Sequence, residues 1–271
     1  MKTILEKIIS RLGFAVVKKR SPLEANLDLE ETLGFDFEEE ATQCIKIIKN
    51  HTMLSKRRLV TLYQQVAYCE KYDIPGSYVE CGVWKGGAVG LMALANMRCG
   101  KQRRNIHLFD AFQEICEPDT ALDGEKALRD VKELTGRSGC DQGRLRSITG
   151  IYDKFGGPGS LEENKLLLEK SIGYEKEFLH YHVGWFQDTI PRVHREIDKI
   201  AILRLDGDWY ASTKVCLEYL YDKVVFGGIV ILDDYGTYEG CKRAVDEYLK
   251  KRNIQAYLSH VDSDCRYFIK I

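Results

Sequence analysis

Two apolar runs of this chain each stop on a pair of acids. One is Ile202-Leu203-Arg204-Leu205-Asp206-Gly207-Asp208, and the other is Ile229-Val230-Ile231-Leu232-Asp233-Asp234-Tyr235. Short, β-branched runs bounded by Gly and Asp read as strands buried on both faces, the habit of a parallel sheet. Ligands of open parallel sheets sit outside the carboxyl ends of the strands. Acids that end such strands therefore point toward a site. Four carboxylates gathered there would repel one another and lose solvation. A hard divalent cation, which takes oxygen ligands, relieves that conflict. The first expectation is a metal at the top of an α/β sheet.

The rest of the chain fits that frame. At 271 residues and 44% hydrophobic, it is long enough for one large domain with an added subdomain. The 40 basic and 41 acidic residues leave a net charge of −1, so nothing favours a nucleic-acid partner. The nine cysteines form no C-x-x-C pair, which suggests neither zinc nor a disulfide framework. Reduced thiols in a cytoplasmic protein are the expectation. No apolar stretch reaches the roughly 18 residues of a membrane span. Residues 1–20 carry Ile4, Leu5, Ile8, Ile9 and Leu12 at helical spacing among basic residues. This reads as a helix that packs on the domain or a partner subunit, with weak membrane-surface contact as the alternative.

Helices are expected over 41–50 and 56–72, and Pro75-Gly76 then breaks the pattern. An acidic stretch opened by the capping-box pattern Ser21-Pro22-Leu23-Glu24 precedes them. Strands follow at 77–81, 105–109, 178–183, 199–205 and 228–232, with closing strands at 256–259 and 266–271. Helices fit at 88–97, 211–223 and 240–251. Such βαβα alternation means a doubly wound, mostly parallel sheet with helices on both faces. Residues 111–177 are too many for one crossover helix and form an insertion, read as a lid or substrate wall. Within it, Ser160-Leu161-Glu162-Glu163 has the capping-box pattern of a new helix. The domain division is a helical extension over 1–50 and the main domain over 51–271.

The first strand runs into Glu80-Cys81-Gly82-Val83-Trp84-Lys85-Gly86-Gly87. Its spacing differs from the dinucleotide G-x-G-x-x-G, and it lacks the Lys-Ser/Thr pair of a P-loop. Asp110 ends the second strand, where an acid can accept hydrogen bonds from ribose hydroxyls. A glycine turn, then a ribose acid, then metal acids after the fourth and fifth strands: this order resembles a Rossmann-like methyltransferase that uses S-adenosylmethionine.

The wording of the motifs narrows the resemblance. His51-Thr52-Met53-Leu54-Ser55-Lys56-Arg57, the glycine turn, and Leu108-Phe109-Asp110-Ala111-Phe112 are one set. Gly184-Trp185-Phe186-Gln187-Asp188-Thr189-Ile190-Pro191, Asp206-Gly207-Asp208-Trp209-Tyr210 and Asp233-Asp234-Tyr235 complete it. From about residue 50 onward the chain resembles the macrocin O-methyltransferase (TylF) family, which methylates hydroxyls on sugars of natural products. The resemblance implies Mg²⁺ held by Asp206, Asp233 and Asp234. It implies S-adenosylmethionine against Glu80, Gly82, Gly86 and Asp110, with Gly184 and Trp185 near the adenine. It makes Asp208 the general base, a homo-oligomer the expected assembly, and a sugar or glycoside the acceptor. The segments 113–119 and 136–159 depart from the family, in the neighbourhood where substrate walls are built.

Other residues fit bland roles. His182 reads as a satisfied strand histidine, and His51 and Tyr210 as packing or acceptor-wall residues. Arg204, inside an apolar strand, requires a partner if buried. Two other readings stand beside the leading one. Asp206-Gly207-Asp208 could be the D-x-D of a metal-dependent glycosyltransferase, which leaves the glycine turn unexplained. The chain could also be a non-catalytic protein that kept the fold.

Overall fold

A computed structural model describes residues 27–137 and 145–271. Seven strands pair in the order β3-β2-β1-β4-β5-β7-β6. They are β1 (Ser77–Cys81), β2 (Ile106–Asp110), β3 (Leu179–Val183), β4 (Ile200–Leu205), β5 (Val224–Leu232), β6 (Ser259–His260) and β7 (Arg266–Ile269). β1 to β5 run parallel, and β7 lies antiparallel between β5 and β6. The strand order reverses between β1 and β4, the topological switch point where ligands of doubly wound sheets bind.

Strand alternation divides the core in two. Tyr78, Ile106, Leu108, Ile202, Ile229 and Ile231 face a layer built from α1 (Glu38–Ile48), α2 (Lys56–Lys71) and α3 (Gly87–Cys99). Val79, Phe109, Leu203, Leu205, Val230 and Leu232 face α6 (Phe186–Val193), α7 (Tyr210–Leu220) and α8 (Glu239–Lys251). Between β2 and β3 the insertion carries α4 (Gly124–Thr135) and α5 (Leu161–Lys165), the latter continuing as a π-helix over Leu166–Ile172. The capping box at Ser160 is present: its hydroxyl accepts from Glu163 N–H at 3.1 Å, and the Glu163 carboxylate accepts from Ser160 N–H at 2.9 Å.

Two strand boundaries differ from expectation by more than two residues. β5 begins at Val224, four residues before Gly228, because Gly227 and Gly228 lie inside the strand rather than in a turn. Gly227 holds φ +78, and the β4–β5 register shifts between Ile200 and Ile202, so the glycines accommodate a bulge. The strand expected over 256–259 shrinks to Ser259–His260. Ala256 and Leu258 pack on the core, but only Ser259 and His260 pair with β7. The expected N-terminal helix and the capping box at Ser21 lie outside the described residues. Among the described residues no helix is long and apolar enough to cross a membrane.

Candidate active site

The site grows from the close approach of two strand ends. Asp206 N–H donates to the Cys81 carbonyl at 2.9 Å, so β1 and β4 stay in contact past their last paired residues. Gly82, at φ +94, makes this possible: a Cβ there would lie 1.7 Å from the Asp206 carbonyl oxygen. Beyond β1, β2 and β4 the chain turns through three left-handed non-glycine residues, Trp84 (φ 49), Phe112 (φ 51) and Asp208 (φ 58). Each such residue costs on the order of 1 kcal/mol, and such strain concentrates where side chains are aimed at ligands. Asp110 fixes the glycine turn from the neighbouring strand. One carboxylate oxygen accepts from Val83 and Trp84 N–H at 2.7 and 3.0 Å, and the other from Phe112 N–H at 2.6 Å.

These loops open on a cavity of about 360 Å³. Gly82, Trp84, Asp110, Trp185 and Phe186 form one wall, and Asp206, Gly207, Asp208 and Trp209 the floor. The insertion supplies the facing wall through Glu114, Ile115, Cys116, Asp130, Leu134, Ile151, Tyr152 and Phe155. Hydrogen bonds lock that wall in place. The Trp209 indole donates to the Cys116 carbonyl at 2.8 Å, and Asp123 accepts from Tyr210 N–H at 2.6 Å, capping α7. The Trp84 indole donates to the Gly157 carbonyl at 3.2 Å, and Lys85 Nζ to the Gly156 carbonyl at 2.9 Å. The insertion is thus one wall of the cavity, seated on both the glycine turn and the acidic loop.

The acids sort by sheet face. Glu80, Arg204, Asp206 and Asp233 project toward the α1–α3 layer, as period-two alternation from Tyr78, Ile202 and Ile231 requires. Arg204 is 2% exposed and pairs with Glu80, with Asp206 at 2.7 Å and with Asp233 at 2.7 Å. These are the partners its burial demanded. Arg58, from α2, reaches the other Asp233 oxygen at 2.8 Å. On the opposite side Asp234 accepts from Asp208 N–H at 3.0 Å, which pins the left-handed residue. Ligand oxygens of Asp206, Asp233 and Asp234 all lie within 4.8 Å of one another. Burial first, then the neighbouring acids, pushes the Asp208 and Asp234 carboxyls well above the usual carboxylate range. Burial likewise raises Glu80 to about 8 against the pull of Arg204.

Of the residues singled out in the sequence, Gly82, Asp110, Trp185, Asp206 and Asp208 line the cavity, as does Trp84. Asp233 and Asp234, both buried, do not line it. Glu80 is buried beneath the turn on Arg204 rather than in the cavity wall. Gly86, at φ 83, caps α3, and Gly184 N–H donates to the Asp110 carbonyl at 2.9 Å, which delivers Trp185 to the wall. His51 and Tyr210 do not line the cavity; Met53 does, and Tyr210 bonds to Glu247 instead. His182 is satisfied by His107. Tyr152, Ile151, Leu134 and Tyr238 are wall residues that sequence reasoning missed. Trp209 was in view only as part of a motif.

A 3-2-1-4-5-7-6 sheet with a glycine turn, an acid at the end of the second strand and an acid cluster at the switch point is the arrangement of a class I, Rossmann-like methyltransferase. The family model of macrocin O-methyltransferases (TylF) matches residues 26–138 and 169–270. The chain is 35% identical to demethyldecarbamoylnovobiocin O-methyltransferase of Streptomyces niveus, over 80% of this chain and 75% of that protein. It is 29% identical to the 8-demethyl-8-(2,3-dimethoxy-alpha-L-rhamnosyl)-tetracenomycin-C 4'-O-methyltransferase of Streptomyces olivaceus, over 78% and 72%. The solved structure of the O-methyltransferase NovP superposes with a TM-score of 0.63 at 34% identity, covering 81% of this chain and 82% of that one. The chain belongs to the macrocin O-methyltransferase family and is an S-adenosylmethionine-dependent O-methyltransferase. The match begins at residue 26, upstream of the expected limit near 50, spans 113–119, which were expected to depart from the family, and lapses over 139–168, overlapping the departure expected over 136–159. Neither the glycosyltransferase nor the non-catalytic reading stands beside that membership.

Proposed function

We propose that the enzyme transfers the methyl group of S-adenosylmethionine to a hydroxyl of a sugar or polyol, with Mg²⁺ held by Asp206, Asp233 and Asp234. The observation that carries this reading is the gathering of those carboxylates around Asp206, which lines the same cavity as Asp208, Asp110 and Trp185. A relative whose name specifies a rhamnosyl acceptor supports the sugar.

The donor set suits a hard cation. All three candidate ligands are carboxylates, and Asp206 Oδ1 and Asp234 Oδ1 take no hydrogen bond from any described residue. A divalent ion held there supplies Lewis acidity to the acceptor hydroxyl. Asp208, in its left-handed turn, accepts the hydroxyl proton as general base. Trp84, Trp185 and Asp110 orient the methyl donor, and Gly82 lets the backbone pass close to it. The insertion wall excludes water and sets acceptor and donor in line, from which much of the rate derives.

The test is methyl transfer from labelled S-adenosylmethionine to a panel of hexosides and deoxyhexosides, with MgCl₂ or with EDTA. Transfer that stops in EDTA and returns with Mg²⁺ is expected. Full activity in EDTA would sink the metal, and transfer only to non-sugar hydroxyls would sink the acceptor.

A further inference from the structure

We infer that Arg58 is a built-in counter-ion of the acid cluster, paired with Asp233 and thereby setting how tightly a divalent cation binds. The inference rests on the metal reading above but concerns a residue that reading does not use.

Asp233 differs from the other two candidate ligands. Both of its oxygens are ion-paired, Oδ1 with Arg204 at 2.7 Å and Oδ2 with Arg58 at 2.8 Å. Asp206 has one oxygen so engaged, and Asp234 has none. The two arginines have different settings. Arg204 is sealed under the sheet, whereas Arg58 enters from the first turn of α2, just past the Ser55 cap. Its guanidinium is shared among three carboxylates. Nε meets Asp262 at 2.6 Å, and Nη2 meets Asp264 at 2.8 Å and the second Asp262 oxygen at 3.2 Å. Asp262 and Asp264 lie between β6 and β7, outside the cavity.

This division has a physical consequence. A cation arriving at Asp206, Asp233 and Asp234 meets a guanidinium already bonded to one of its ligands, and like charges repel. Arg58 can give up Asp233 through Nη1 alone and keep Asp262 and Asp264 through Nε and Nη2. The outer acids thus serve as a resting place for the displaced charge. Without Arg58, Asp233 would be free on one oxygen, and the cluster would hold one positive charge fewer.

Mn²⁺ binding to the full chain, read by calorimetry and by the electron-paramagnetic-resonance signal of free Mn²⁺, tests this without turnover. Arg58→Gln should bind Mn²⁺ about tenfold tighter or more, since a unit charge a few ångströms away is removed in a poorly screened site. Arg58→Lys, which keeps the charge, should stay within about threefold of wild type. Asp264→Asn loosens the outer hold on Arg58 and should weaken binding several-fold, a result that carries the test if Arg58→Gln does not fold. Equal or weaker binding by Arg58→Gln, or by Asp264→Asn unchanged from wild type, would overturn the inference alone. Absence of Mn²⁺ binding to every chain would overturn the metal reading beneath it.

Discussion

Lowering the pH from 8 to 5 should cost this fold about 3 kcal/mol through two histidines remote from the acid cluster. His107 of β2 is buried, and its Nδ1 lies 3.1 Å from His182 Nε2 on β3. The rings are within 6° of parallel at 5.4 Å between centroids, so in the neutral pair one nitrogen donates and the other accepts. Burial, then the neighbouring imidazoles, lowers His107 to about 3 and His182 to about 4. In the unfolded chain both titrate near 6.5. Below that pH the unfolded state binds protons that the folded state refuses, so stability present above pH 6.5 is lost as pH falls toward the folded values. At pH 5 this amounts to about 2 kcal/mol for His107, and about 1 for His182 once its partial exposure is discounted. Urea unfolding at pH 8 and pH 5 measures it, with His107→Leu/His182→Leu as the reference. Replacing both partners with apolar groups should be nearly neutral at pH 8 and should remove the loss. Equal losses in both chains would refute the reasoning.

Three further outcomes follow from the packing. Gly82→Ala should cost about 3 kcal/mol or more, because its Cβ would lie 1.7 Å from the Asp206 carbonyl oxygen; Gly136→Ala, at φ +71 with nothing within 4 Å, should cost only about 1 in thermal unfolding. Arg204→Met should destabilise the chain by about 3–5 kcal/mol in urea, since it leaves buried carboxylates without their cation, and adding Glu80→Gln should restore part of it. Asp123→Ala removes the cap on Tyr210 N–H, which should cost about 1 kcal/mol and lower kcat about tenfold or more with S-adenosylhomocysteine binding unchanged by calorimetry. An unaltered kcat would separate Asp123 from the placement of Asp208.

Much of the site was legible because its chemistry sits at strand ends. Asp110, Asp206, Asp208, Asp233 and Asp234 each follow an apolar run, and the two-residue period places them by face once the strands are recognised. Gly82 was legible as a turn, yet its reason, contact with the Asp206 backbone, spans 124 residues of sequence. The facing wall was not legible. Tyr152 and Leu134 belong to an insertion whose local pattern names helices but not what they cover. Arg204 looked like a residue in need of a partner, and Glu80 like a cofactor contact. Only the β1–β4 register, which sets them opposite each other, shows that Glu80 is one of the partners Arg204 needs.

The sequence by itself determined the layers, the parallel run of strands, the glycine turn and the edge at which the acids gather. Each of these follows from local periodicity and from which residues can end a buried strand. Tertiary structure alone decided how the acids are shared. Arg204 and Arg58 come from different elements, and the insertion closes on Trp84 and Trp209 from far along the chain. Charge pairing and cavity walls are set by distance in space, which spacing along the chain does not encode.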